Sequence, residues 1–439
     1  MNYTIEEVVS FVSENDVKFI RLAFCDILGN QKNISIMPAK LMEAFEFGIP
    51  FDGYAVKGFS NVTDSDLLLF PDPSTLCVLP WRPSHGRVVR FFCNIRYPDG
   101  RPFEADSRRI LVNAVEAAQK MGYSVKMGAE CEFYLFEEDI NGHHTTTPHD
   151  RGGYMDIAPA DKGENIRREI CLTLEEMGII PESSHHEHGP GQNEVDFKYA
   201  DALETADNLM TFQTVVKNTA AKNGLYASFL PKPLEKEAGS GLHLNLSLFK
   251  DDRNIVKSSG NEHCAAVESF LAGILAHVKE ITAFLNPLTN SYRRFGEFEA
   301  PRYITWSHHN RSQLIRIPAA TGESQRLELR SPDPACNPYL ATALIIYAGL
   351  DGIQRELALP QECGWDLYHV DEALLKGCDQ LPGSLDDALA LAAESEFVRA
   401  HLPSSLRQYF LQAKQEEVRY CQESGSDLSA ELELYFEQV

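Results

Sequence analysis

No stretch of the 439-residue chain stays apolar long enough to span a bilayer. The most apolar run, 339-YLATALIIYAGL-350, is interrupted by small residues and ends at Asp351. The opening MNYTIEEVVSFVSEND carries acid where a secretory leader needs a basic and then an apolar segment, so a cytoplasmic protein without membrane attachment is expected. Ten cysteines are scattered with no CxxC pair, which favours free thiols over a disulfide framework or a cysteine-held zinc. Positive charge is scarce, 40 Lys and Arg against 64 Asp and Glu, and the net charge of −24 argues against a nucleic-acid partner. There is no P-loop signature and no GxGxxG, so a bound nucleotide would not rest on a P-loop or a Rossmann turn. An HExxH is missing too, and neither His185 nor His186 in 185-HHEH-188 has a partner four residues on, so these histidines read as structural or as supports for other ligands.

What is present reads as an α+β protein too long for one core. Residues 1–100 look like short strands separated by turns, among them 17-VKFIRLAFCDI-27 and 87-RVVRFFCNI-95. Apolar residues at helical spacing predict a helix over 107–122, and two more are expected near 161–177 and 205–223. Alternating segments predict strands at 129–136, 241–248, 313–318 and 326–330, and the chain after residue 337 reads as mostly helical. The resulting organisation is a small N-terminal domain, 1–102, and a larger domain, 103–439.

Chemistry concentrates on the strands. Alternation puts Glu130 and Glu132 on one strand face, with Cys131, Phe133 and Leu135 on the other. In 241-GLHLNLSL-248 the residues His243, Asn245 and Ser247 oppose four leucines, and in 326-RLELR-330 the residues Arg326, Glu328 and Arg330 oppose two. Glu187 and Glu194 flank a Gly-Pro-Gly turn. A charged outer sheet face would give this pattern on any one strand. Four in one chain favour carboxylates gathered around cations, since close carboxylates repel one another. Oxygen donors with one imidazole suit Mg²⁺ or Mn²⁺ better than Zn²⁺. Arg293, Arg294, Arg311, Arg316, Arg326 and Arg330 crowd the same region. They fit a polyphosphate or a doubly anionic substrate, or equally an ion-pair network at a subunit interface.

The segments 185-HHEHGPGQNEVDFKY-199, 239-GSGLHLNLSLF-249, 310-NRSQLIRIP-318 and 328-ELRSPDPACNPYLATALIIYAGLDGI-353 resemble type I glutamine synthetases, as do 17-VKFIRLAFCDILG-29, 51-FDG-53 and 65-SDLLLFPDPSTLCVLPW-81. The resemblance implies an N-terminal β-grasp domain, a catalytic domain, and a dodecamer of two stacked hexameric rings with active sites between subunits. It implies glutamate, ammonium and ATP as substrates, with two or more Mg²⁺ (or Mn²⁺) ions per site. By the same resemblance Glu132, Glu187 and Glu194 would hold one ion and Glu130, His243 and Glu328 the other. Arg294, Arg330 and Gly239 would hold glutamate. Arg311 and Arg316 would face the phosphates, and Glu182, Asn245 and Ser247 the nucleotide. Asp52 would deprotonate ammonium, Glu299 would sit on a flap over the intermediate, and Tyr154 would line the ammonium pocket.

The sequence departs from the family pattern at the acceptor end. Tyr54 and Ala55 follow FDG where serines are usual, Ala238 replaces an asparagine, and the flap 295-FGEFEAP-301 is one residue shorter. An amine in place of ammonia is the alternative these changes raise, and a non-catalytic relative is a further one. Asn61 stands where a feedback arginine is expected. Tyr368 lacks the flanking sequence of an adenylylated tyrosine, and no adenylylation is expected.

Overall fold

A computed structural model describes residues 3–59, 62–82, 85–257, 262–320 and 322–439; Asn61 lies outside them. The N-terminal domain is built on strands β1 (Val17–Cys25), β2 (Gln31–Ile36), β3 (Ile49–Asp52), β4 (Asp66–Pro71), β5 (Cys77–Val78) and β6 (Arg87–Arg96). They form one sheet in the order β2-β1-β6-β4-β3, with β5 on β6, and β1 and β6 run parallel. Two helices in this domain, α1 (Ile5–Glu14) and α2 (Leu41–Phe47), were not expected from the sequence. For α1 the missed signal is local: Thr4 and Glu7 cap one another reciprocally, and Val8 and Val12, four apart, bury one stripe.

The larger domain places ten strands in a second sheet. They are β7 (Ser124–Glu138), β8 (His144–Pro148), β9 (Pro181–His186), β10 (Gln192–Asp201), β11 (Leu225–Ser228), β12 (Leu242–Lys250), β13 (Arg253–Asn254), β14 (Trp306–His308), β15 (Ile315–Ile317) and β16 (Leu327–Leu329). The order is β14-β15-β16-β12-β7-β10-β9, with β8 and β11 also on β7 and β13 on β12. Helices α3 (Ser107–Lys120), α4 (Glu164–Glu176) and α5 (Ala202–Lys222) lie close to the expected spans, α7 (Pro338–Gln354) opens the mostly helical part expected after residue 337, and α6 (Ala265–Leu285) is a helix the sequence reading does not include. The chain ends in α8 (Glu372–Leu375), α9 (Leu385–Glu394), α10 (Glu396–His401), α11 (Ser404–Glu423) and α12 (Leu428–Tyr435).

The apolar sides of β7 and β12 turn inward. Cys131, Phe133, Leu135, Leu242, Leu244, Leu246 and Leu248 are all buried in one continuous core with α3, α5, α6 and α7. Removing that apolar area from water fixes which face of the sheet is left for polar groups. A buried ion-pair cluster ties the two domains. Arg108 on α3 reaches Asp72 of the N-terminal domain and Asp207 on α5, each at 2.9 Å, and Tyr339 donates to Asp207 at 2.7 Å.

Candidate active site

Strand register assembles the polar face. On β7, Glu130 stands opposite His243 of β12 on one side and Asp196 of β10 on the other. Two residues on, Glu132 is opposite Glu194, which in turn is opposite His185 of β9. Glu328 of β16 lies between Asn245 of β12 and Arg316 of β15. Residues 113 and 198 positions apart thus become lateral neighbours across a few strands.

Two clusters result, each with donor atoms within 4.8 Å of one another: Glu130, His243 and Glu328, and His185, Glu187 and Glu194. The first is the expected set for one ion. In the second, His185 stands where Glu132 was expected, with its Nε2 2.6 Å from Glu187. Glu132 lies beside this cluster, accepting from the Gly241 N–H and from Gln192, each at 2.9 Å. His186 braces it from behind: one ring nitrogen meets the Glu187 carbonyl at 2.7 Å and the other meets Asp150 at 2.8 Å. Asp150 also accepts from the Gly152, Lys162 and Gly191 N–H groups, so the loop carrying Tyr154 is tied to the Gly-Pro-Gly turn.

The electrostatics fit cations. Burial, then the charge of Glu187, raises the Glu132 carboxyl to about 7. Burial, then the charges of Asp196, Glu132 and Glu187, pushes Glu194 well above the carboxylate range. Burial also works to raise Glu130, yet His243, Asn245 and Arg326 hold it down to about 2. Carboxylates that repel one another in a buried place are relieved by divalent cations with oxygen preference, and the donor set matches that need.

Arginines line the adjoining wall. Glu328, 1% exposed, accepts from Arg316 with one oxygen and from Arg330 with the other. The Nε–H groups of Arg294, Arg316 and Arg330 are buried without a partner, and the Arg294 Nη1 reaches only the Ser331 carbonyl, at 3.1 Å, and Pro332 beyond it. Buried guanidinium groups with unused donors suit an anionic substrate. Gly239 and Gly241 leave room for this wall: a Cβ at Gly239 would stand 2.4 Å from the Arg294 Cγ, and one at Gly241 3.0 Å from its Nη2. The Tyr368 hydroxyl, missed as a site feature in the sequence, is buried without a partner and feels the charges of Arg330, Glu299 and Arg294.

The flap is a tight turn, with Phe298 and Glu299 in the left-handed region at φ 45° and 66°. The Glu299 carbonyl accepts from Arg330 at 3.2 Å, and its carboxylate lies 3.6 Å from the same guanidinium. Buried Lys232 anchors the other side: its Nζ is 3.3 Å from Glu297 and 4.7 Å from the Phe298 ring centre. On the far side of Glu130 opens a cavity of about 270 Å³, lined by Glu182, Asp196, Tyr199, Asn245, Ser247 and Arg326. All three residues expected at the nucleotide are among them. Tyr154 stacks on His188 at 4.7 Å, beside His185. Arg311 is exposed and close enough to bias both Tyr154 and Arg316. Asp52 belongs to the N-terminal sheet, where its carboxylate accepts from the Tyr54 N–H at 3.0 Å, and it joins neither cluster.

Residues 104–434 match the family described as glutamine synthetase, catalytic domain, and residues 16–98 match glutamine synthetase, beta-Grasp domain. The chain belongs to the glutamine synthetase family. Curated glutamine synthetases from Clostridium saccharobutylicum and Methanosarcina mazei are 47% and 45% identical, over 91% and 94% of both chains. Among solved structures, a GmaS–ADP complex superposes with a TM-score of 0.86 at 31% identity, covering 96% of this chain and 97% of that one. Apo GmaS superposes at 0.85 with 32% identity, covering 94% and 96%. The chain is accordingly an enzyme of the glutamate–ammonia ligase class, with the ATP and divalent-metal use of its family. No helix among the described residues is long and apolar enough to cross a membrane.

Proposed function

We propose that the enzyme joins ammonia to the γ-carboxylate of L-glutamate at the cost of ATP, through a γ-glutamyl phosphate, releasing glutamine, ADP and phosphate. The observation that carries the reading is the sheet face itself: two carboxylate–imidazole clusters share it with arginines that have unused donors, and Glu130 of the first cluster also lines a cavity of about 270 Å³ with Glu182, Asn245 and Ser247. Glu130, His243 and Glu328 would hold one divalent ion, and Glu187 and Glu194, with Glu132 and His185, the other. When bound, Mg²⁺ or Mn²⁺ offsets the phosphate charge. Glu182, Asn245 and Ser247 receive the nucleotide, and Arg311 and Arg316 balance the charge that builds on the transferring phosphoryl group. Arg294, Arg330 and the Gly239 backbone orient glutamate. The flap with Glu299 keeps water from the acyl phosphate, and Tyr154 borders the acceptor pocket.

Asp52 fits the part of a base supplied by a neighbouring subunit, since it is exposed and belongs to neither of this chain's own clusters. That role requires an assembly, for which we propose the two-ring dodecamer. Ten free cysteines suit a reducing cytoplasm.

A second reading, transfer to an amine, is favoured by the acceptor end alone. Tyr54 and Ala55 present no serine hydroxyl, Ala238 offers the Tyr134 hydroxyl only its carbonyl, and the flap is short. ADP release with glutamate and Mg²⁺ decides between them when ammonium is compared with methylamine and polyamines. Turnover with ammonium is the expected result. Turnover with an amine and none with ammonium would overturn the first reading, and absence of divalent binding would overturn both.

A further inference from the structure

Glu431 on α12 is a buried carboxylate, 4% exposed, at the opposite end of the chain from the metal-cluster strands. A carboxylate taken out of water needs donors. Two reach it from the 3₁₀ turn Thr289–Arg293, which leads directly into Arg294. The Asn290 Nδ2 and the Arg293 Nε donate to the same oxygen, Oε2, at 2.8 and 2.7 Å. Arg293 also donates through Nη2 to the Ser426 carbonyl, at 3.0 Å. Asn290 is fully buried and grips one further residue: its oxygen accepts the Lys232 N–H at 2.7 Å, and its Nδ2 donates to the Lys232 carbonyl at 3.0 Å. Lys232 in turn carries the flap contacts to Glu297 and Phe298, and its Nζ donates to the Glu237 carbonyl at 2.6 Å, just before Ala238 and Gly239. The Thr289 hydroxyl, donating to Tyr435 at 3.4 Å, is a second tie between the turn and α12.

We propose that Glu431 is a positioning residue for the glutamate end of the site, holding Arg293 aside so that Arg294 meets the substrate, and holding Asn290 so that Lys232 steadies the flap. The inference rests on the roles proposed above for Arg294 and the flap. Either of two adjacent arginines could turn to an anion. Glu431 and the Ser426 carbonyl claim Arg293, while Arg294 reaches the Ser331 carbonyl and stands against Gly239 and Gly241. The second arm works through the orientation of an amide. A half-turn of the Asn290 side chain would exchange its oxygen and nitrogen and break both bonds to the Lys232 backbone. An ionised carboxylate can only accept, so Glu431 fixes the NH₂ end toward itself and leaves the oxygen for the Lys232 N–H. Bonds to a charged acceptor are also stronger than neutral ones, which suits a residue that must hold two partners with one oxygen. Glu431 touches no substrate. It acts through Asn290 and Arg293, and it makes the last helix of the chain a support for the flap.

The test compares full-length Glu431→Gln, Glu431→Asp and Glu431→Ala enzymes with the parent. Glutamate affinity is measured by calorimetry with Mg²⁺ and ADP present, which needs no acceptor. The ratio of ADP to amide product is measured with whichever of ammonium or methylamine the parent turns over. A parent that uses only the amine would count against the acceptor assigned above without touching this proposal. Because both donors meet one oxygen, Gln can place its carbonyl there, and Glu431→Gln is expected to bind glutamate within about threefold of the parent. Asp, one methylene shorter, and Ala withdraw the acceptor: glutamate Kd is expected to rise roughly tenfold, with ADP affinity within about twofold and ADP released in excess of amide. Thermal melting checks folding, and the Asp enzyme carries the test if the Ala enzyme does not fold. Parental glutamate affinity and one-to-one stoichiometry in a folded Glu431→Asp enzyme would overturn the proposal, even with a lower melting temperature, which a purely structural role would also give.

Discussion

Glu328 offers the sharpest single test of how the site balances its charges. It is 1% exposed, and its two oxygens are divided between Arg330, also 1% exposed, and Arg316, whose side chain is 14% exposed. Glu328→Gln keeps the shape and one acceptor oxygen but turns an NH₂ group toward one guanidinium. The oxygen is expected to stay with the more buried Arg330, so Arg316 loses its partner. Removing one side of a buried pair costs about 3–5 kcal/mol, and the access of Arg316 to solvent puts this case near the lower end. The Glu130–His243–Glu328 cluster also loses one of its two carboxylates. The expected variant melts earlier than the parent without metal. Its Mg²⁺ half-saturation rises at least about tenfold, and kcat for ADP release falls roughly a hundredfold, or about 2.7 kcal/mol. Thermal melts with and without Mg²⁺, and ADP release against Mg²⁺ concentration, measure both effects. Parental melting together with parental Mg²⁺ dependence would refute both the charge balance and the ligand assignment.

Gly239→Ala forces a Cβ to within 2.6 Å of the Pro231 carbonyl, which is backbone and cannot turn aside, and against Arg294. A loss of about 1–3 kcal/mol and a higher glutamate KM are expected; a parental KM in steady-state assays would contradict the packing. Lys232→Met removes the charge that holds Glu297 and Phe298, so the ratio of ADP to amide product is expected to rise above one as the flap loosens. Strict one-to-one stoichiometry would count against the anchor. His277 on α6 lies between Glu280, at 2.5 Å, and Asp351 of α7, at 2.7 Å, with Arg355 and His401 also facing Asp351. Burial opposes its charge, but the two carboxylates raise its pKa overall. Its stabilisation is therefore complete below the unfolded value of about 6.5 and is lost as pH rises through the higher folded value. The lowered carboxyls of Glu280 and Asp351 lose their share only on acidification. Melts of His277→Gln are expected to show a flatter slope between about pH 6 and 8, and an unchanged slope would dismiss the clamp.

Much of the site could be read from alternation. Glu130 and Glu132 share a face because the intervening Cys131 must be buried, and the same logic placed His243, Asn245 and Ser247 opposite four leucines. What alternation cannot report is register. His185 joins Glu187 and Glu194 because β9 pairs with β10 at that offset, and no spacing within HHEH announces it. Glu431 and Asn290 are 141 residues apart and meet only because α12 folds back onto the turn before Arg294. Helix α1 was missed because its burial stripe is only two valines wide. Asp52 could be assigned only by resemblance, since nothing within one chain brings it to the clusters.

The 15-residue strand β7 pairs with β8, β10, β11 and β12, and it carries Glu130 and Glu132 in its middle. A slip of one residue would turn both carboxylates into the core and disturb four partners at once. Change there is nearly forbidden. The groups proposed for the acceptor end sit elsewhere: Tyr54 and Ala55 on a turn, Ala238 before β12, and the flap between α6 and β14. Mutation can reshape these without touching the strand that carries Glu130 and Glu132. On the proposed reading, the scaffold inherits its phosphate chemistry as a unit while its choice of nitrogen donor remains free to drift.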